Sequence, residues 1–186
     1  MRIALLVLCA CSQPKPPRTP ATQIVAACNT PEHRQLDFWI GEWDVRVRAR
    51  TAPDKEDWGE AKGTQRIESL LGGCAIAEHF AADGPPTPWA GKSYSAWQPK
   101  LGKWRQTWVD DQGSYIALTG AVESGVMTLY GEPRTANDKT IQMRMVFENV
   151  TKSSLHWEWQ RTEDNWATHA VMMTVDYARA RTPPTR

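Results

Sequence analysis

The chain alternates before it does anything else. In Trp43-Asp-Val-Arg-Val-Arg-Ala49 the apolar side chains Trp43, Val45, Val47 and Ala49 fall on one side, with Asp44, Arg46 and Arg48 on the other. Successive side chains of a strand point to opposite faces, so this stretch predicts a half-buried strand. The same period returns along the chain. Strands are predicted over 63–71, 74–81, 91–98, 103–109, 114–122, 126–132, 140–148, 155–161 and 166–179. Over 140–148, Ile141, Met143, Met145 and Phe147 form an unbroken apolar row, and over 103–109 Trp104, Gln106 and Trp108 share a face.

Turn residues separate these runs: Gly72-Gly73, the proline-rich 83–88, Pro99-Lys-Leu-Gly102, Asp110-Asp-Gln-Gly113, Glu123-Ser-Gly125 and Asn137-Asp-Lys139. Proline cannot donate to a sheet ladder, which makes 83–88 a loop. Residues 31–37 can form a short helical entry, and helical periodicity is otherwise scarce. Ten short strands in series predict an all-β fold, an antiparallel up-and-down meander. Its edges must be hidden, and closure into a barrel of about ten strands does that most simply. A two-sheet sandwich satisfies the same periodicity.

The first 27 residues follow a different rule. Met1-Arg2 is a small positive start, Ile3–Leu8 is apolar, and Leu8-Cys9-Ala10-Cys11-Ser12 follows. A spanning helix needs about 20 apolar residues, so this run marks export rather than a membrane span. It resembles a bacterial lipobox with Cys11 as the lipid acceptor, and Ser12 resembles the outer-membrane sorting pattern. Residues 12–27, rich in proline, suit an extended tether. The expected division is 1–11 signal segment, 12–27 tether, 28–181 barrel domain and 182–186 tail. The expected address is the periplasm, by a lipid anchor in the outer membrane.

Charge and cysteine content narrow the partners. With Arg2 gone with the first ten residues, 21 basic side chains face 21 acidic ones. So balanced a surface argues against nucleic acid, and against anionic membrane beyond the lipid itself. Cys28 and Cys74 have no His or Cys at a metal-ligand spacing, and in an exported chain they read as a disulfide. No cofactor or metal is expected.

Gly41-Glu42-Trp43, opening the first strand after a short helical entry, is similar to the Gly-x-Trp signature of lipocalins and the wider calycin group. That resemblance implies a structural pair, with Arg179 near the end of the last strand packing over Trp43. More of the chain resembles a large bacterial family of unknown function, the DUF1579-like proteins. It does so through Phe38-Trp-Ile-Gly-Glu-Trp-Asp44, Gly72-Gly-Cys74 with Glu78, Gly91-Lys-Ser-Tyr-Ser95 and Gly102-Lys-Trp-Arg-Gln-Thr-Trp-Val-Asp110. The resemblance implies a calycin-like barrel and export, and carries no activity with it.

Ten tryptophans are the compositional outlier. Each adds apolar area and one N–H donor, which fits core filling, a ligand-lined interior or a platform for stacking sugars. Glu78 shares a face with Ile76 and Phe80. Facing a barrel interior it would need a partner, for which Arg66, Tyr94 and Arg105 on nearby strands are the candidates; a structural hydrogen-bonded or solvent-facing acid is the alternative. His156 and His169 lie on the last two strands without a third ligand. The predicted function is an envelope-tethered binding protein for a small apolar or amphiphilic molecule. Glu78, Tyr94, Trp97, Trp104, Trp108 and Trp157 are the predicted pocket. Alternatives are binding of a carbohydrate or envelope polymer through Trp surfaces, and an enzyme using Glu78 as acid or base.

Overall fold

A computed structural model describes residues 28–84, 88–136 and 138–181. The segments read as signal peptide, tether and C-terminal tail, Cys11 included, lie outside the described residues. Among the described residues there are eleven strands: β1 (Gly41–Arg50), β2 (Trp58–Leu70), β3 (Ala75–Asp83), β4 (Trp89–Gln98), β5 (Lys103–Asp110), β6 (Tyr115–Glu123), β7 (Val126–Gly131), β8 (Arg134–Ala136), β9 (Lys139–Glu148), β10 (Ser154–Thr162) and β11 (Ala170–Arg179). Each pairs antiparallel with the next, except that β7 passes over the three-residue β8 and pairs with β9 instead. β11 returns to β1, with Trp43 opposite Arg179 and Val47 opposite Val175, and β9 pairs β10. The meander is therefore a closed ten-stranded barrel, with β8 a short flap on β9.

Two strand starts differ most from the sequence expectation, and one short strand is additional. β2 begins at Trp58, opposite Arg50, because the strand pairs to the full length of β1. β8 is too short to carry a period. The last strand begins at Ala170, because residues 163–169 form a turn. There Asn165 and Trp166 take positive φ, and the Thr162 hydroxyl and Asp164 carboxylate collect backbone N–H groups.

One pole of the barrel is sealed. Two 3-10 turns, Pro31–Arg34 and Asp37–Trp39, enter just before β1 and fill it. Leu36, Trp39, Trp43, Ile67, Trp104 and Leu129 are all essentially inaccessible there. Trp39 and Phe38 meet Phe147 edge-on at 5.1 and 5.5 Å. Polar groups are matched too: the Trp43 indole donates to Trp39 O at 2.7 Å, and Trp104 donates to the Gln35 side chain at 3.1 Å.

The plug is fastened from both sides. Cys28 and Cys74 form a disulfide with Cα atoms 5.0 Å apart. Beside it, Arg34 donates to Cys28 O at 3.1 Å and Gly73 O at 2.8 Å. Arg179 spans the plug and Trp43, as the calycin-like resemblance implies: its guanidinium carbon lies 3.7 Å from the Trp43 ring centroid.

Candidate functional site

Inward positions follow the register from strand to strand. Across β2, β3, β4, β5 and β6, Ile67, Glu78, Ser93, Trp108 and Ile116 stand side by side. On the far wall, Phe147, Trp157 and Val175 form the matching row. Near the sealed pole these side chains interlock. Toward the other pole they do not, and a cavity of about 640 Å³ remains, within the range of about 300–1,000 Å³ usual for small-molecule sites.

The cavity has a floor, two aromatic walls and a polar rim. Trp39, presented by the plug, forms the floor with Glu78 and Tyr177; Arg50, Thr51, Gln112 and Ser114 stand at the rim. One wall is a cluster of Phe80, Trp89 and Trp108, their ring centroids 4.7 to 6.0 Å apart in edge-to-face contact. Gly91 makes room for it, since a Cβ there would lie 2.1 Å from the Trp108 ring. The other wall holds Trp157 and Trp159, parallel to within 2° with centroids 6.2 Å apart. A strand places residues two apart on the same face, and this geometry follows directly.

Glu78 is the polar centre of the floor. The Gln65 amide donates to one carboxylate oxygen and the Ser93 hydroxyl to the other. Burial raises its pKa to about 7, against the lowering effect of the Ser93 and Gln65 hydrogen bonds. The phenol of Tyr177 lies beside it, pushed well above its ordinary value by burial and then by the Glu78 charge. Two polar atoms here lack partners: Gln65 Oε1, and the indole N–H of Trp39, which approaches the Tyr177 phenol without hydrogen-bonding geometry.

The predicted pocket residues divide three ways. Glu78, Trp108 and Trp157 line the cavity. Trp97 and Trp104 also face inward, 6.2 Å apart, but they belong to the packing of the sealed pole rather than to the cavity. Tyr94 points outward and is 57% exposed, which corrects its placement in the pocket. Arg66 and Arg105 are likewise outward: Arg66 pairs with Glu68 at 2.7 Å, and both stand in register with outward positions. The carboxyl partners are instead Gln65 and Ser93. The tryptophans proposed as an external sugar platform are turned inward, so Trp104 offers no surface to a polymer.

His156 lies on the outer wall, hydrogen-bonded to Asp176 at 2.6 Å and Glu158 at 3.3 Å. Burial acts against its charged form, but these two hydrogen bonds prevail and raise its pKa. Among the described residues no group of three or more His, Cys, Asp or Glu side chains is placed to hold a metal ion.

The barrel is similar to solved structures. It matches the crystal structure of Rv2717c from M. tuberculosis with a TM-score of 0.59 at 14% identity, over 82% of this chain and 99% of that one. It matches the S-type phycobiliprotein lyase CPES from Guillardia theta with a TM-score of 0.50 at 7% identity, over 80% of this chain and 92% of that one. At such identities the likeness is one of fold. No curated protein is significantly similar in sequence. The family model for DUF1579, a protein of unknown function, matches residues 29–179, and the chain belongs to that family.

Proposed function

We propose that this protein is a binding protein that holds a small apolar or amphiphilic molecule inside its barrel. The observation that carries this is the 640 Å³ cavity, apolar along its walls and polar only at its floor and rim. A core built for stability alone is close-packed. Here Trp108, Trp157 and Trp159 stand at the edge of empty space instead of filling it. Similarity to a phycobiliprotein lyase adds the precedent of a like barrel in a protein named for action on another molecule. Native mass spectrometry of the purified protein tests the proposal, together with quenching of tryptophan fluorescence by naphthyl probes. A co-purified small molecule or saturable quenching is expected; absence of both refutes it.

The same proposal places the barrel in the cell envelope, tethered by lipid on Cys11. Compatible with export are the Cys28–Cys74 disulfide and the lipobox-like Leu8-Cys9-Ala10-Cys11. Labelling with a fatty-acid analogue should vanish in Cys11→Ser. A second role, proton transfer by Glu78, is favoured by its pKa of about 7 in a substrate-sized cavity. Turnover lost in Glu78→Gln with folding retained would establish it.

A further inference from the structure

We propose that the molecule held in the cavity is a hydrophobic amine, whose protonated nitrogen seats against Glu78 while its apolar body lies between the tryptophan walls. This rests on the binding function proposed above and names the class of ligand. The starting point is a carboxyl group on the floor of a deep apolar cavity with no cation beside it. A buried carboxylate is costly unless a positive group accompanies it. From β2 the floor is faced by Gln65 and Ile67, from β4 by Ser93, from β11 by Tyr177 and from the plug by Trp39. Tyr177 is the only ionisable group among them, and it carries no positive charge.

Charge along the cavity is mostly acidic. Glu60, Glu78 and Asp110 are its acidic lining residues, and Arg50 is the basic one. Arg50 is at the rim and already engaged, donating to Val171 O and Lys55 O at 2.8 Å each and stacking on Trp58. A carboxylate carried down to the floor would therefore meet a like charge, with the only basic lining residue, Arg50, held away at the rim by its two carbonyls.

Hydrogen bonding selects the same chemistry. An ionised carboxylate accepts about four hydrogen bonds. Glu78 receives two from the protein, and Gln65 Oε1 next to it receives none. The protonated Tyr177 hydroxyl can serve one of these oxygens, and the floor still has acceptors to spare for N–H donors, which an ammonium group brings. The Trp39 indole N–H is the unpartnered donor, and an ether, hydroxyl or carbonyl oxygen near the amine would serve it. The walls suit a cation as well. Aromatic faces attract a positive charge by about 0.5–2 kcal/mol once water is excluded, and Trp108 stands one strand beyond Ser93 in register with Glu78.

The test uses three probes of one shape: naphthylmethylamine, naphthylmethanol and naphthoate, titrated into the full-length protein with fluorescence or calorimetric detection. At pH 8 the amine should bind at least about tenfold more tightly than the alcohol, with naphthoate weakest, as a charge-assisted contact replaces a neutral one. In Glu78→Gln the amine-to-alcohol ratio should fall to within about twofold. Should that variant fail to fold by circular dichroism, the wild-type protein decides alone. Its ratio should climb about tenfold between pH 5.5 and pH 8 as Glu78 ionises. A ratio near one, a ratio flat with pH, or a preference for naphthoate overturns the amine and leaves the binding function standing. Failure of all three probes to bind folded protein counts against the binding function itself.

Discussion

Arg179 lies flat over Trp43 and ties three separate carbonyl groups together while doing so. Its guanidinium donates to Ile40 O at 2.6 Å, Phe38 O at 3.1 Å and Lys152 O at 3.1 Å. The last strand, the plug and the β9–β10 turn are thus held by one side chain. Arg179→Ala should lower the unfolding free energy by about 2–4 kcal/mol, through one lost cation–π contact and several lost charge-assisted hydrogen bonds. Arg179→Lys should recover less than half, because an ammonium cannot reach three carbonyls in a fixed fork. Urea unfolding of the two variants measures both.

Glu78 predicts an inverted pH dependence. Its pKa is 4.5 before burial and about 7 in the fold, so the folded protein binds the proton more tightly than the unfolded chain. Stability from this group is greatest in acid and falls as pH climbs from below 5 to above 7, the reverse of an ion-paired carboxylate. Glu78→Gln removes that slope. The stability difference between variant and wild type should swing by up to about 3 kcal/mol in the variant's favour between pH 4.5 and pH 8. Parallel curves for the two proteins would show that Glu78 is not the group responsible.

The disulfide closes a separation of 46 residues. A loop of that size is expected to contribute about 4 kcal/mol through the unfolded chain. Replacing both cysteines by serine should lower Tm by about 10 °C for a domain of this length. Reductant should produce a similar fall in the wild type and none in the variant.

Gly91 tests the wall. A methyl group there collides with the Trp108 ring, so Gly91→Ala must swing the indole toward the open interior. The variant should keep its β-sheet circular dichroism, lose about 1–3 kcal/mol of stability as an overpacked site does, and bind naphthyl probes at least about tenfold more weakly.

How far the sequence reaches is plain from β4. Alternation in β1, β3 and β5 identifies the inner faces, and Ile76, Glu78, Phe80 and Trp108 are placed accordingly. In β4 the inner row runs Trp89, Gly91, Ser93, Ser95 and Trp97, so its middle is small and polar while the large Tyr94 lies outside. In the middle of the strand hydropathy therefore does not mark the inner face. The cause lies on neighbouring strands: Gly91 yields to Trp108, and Ser93 serves Glu78. A period also reports a face but not a height. Trp97 and Trp104 share the inner face with Trp108, yet only the plug decides that they are packed and Trp108 is open. Trp39 and Tyr177 reach the floor by contacts across the whole chain, for which no local signal exists.

The disulfide has a directional consequence. Cys28 is pinned at the plugged pole, and Arg179 brings the end of the last strand to the same pole. Both chain ends of the described domain thus emerge on one side, and the rim with Arg50 and Gln112 opens on the other. A barrel leashed through residues preceding Cys28 would stand with its back to the surface that anchors it, its doorway turned to the surrounding fluid. A guest could then enter or leave at the pole opposite Cys28 and Arg179.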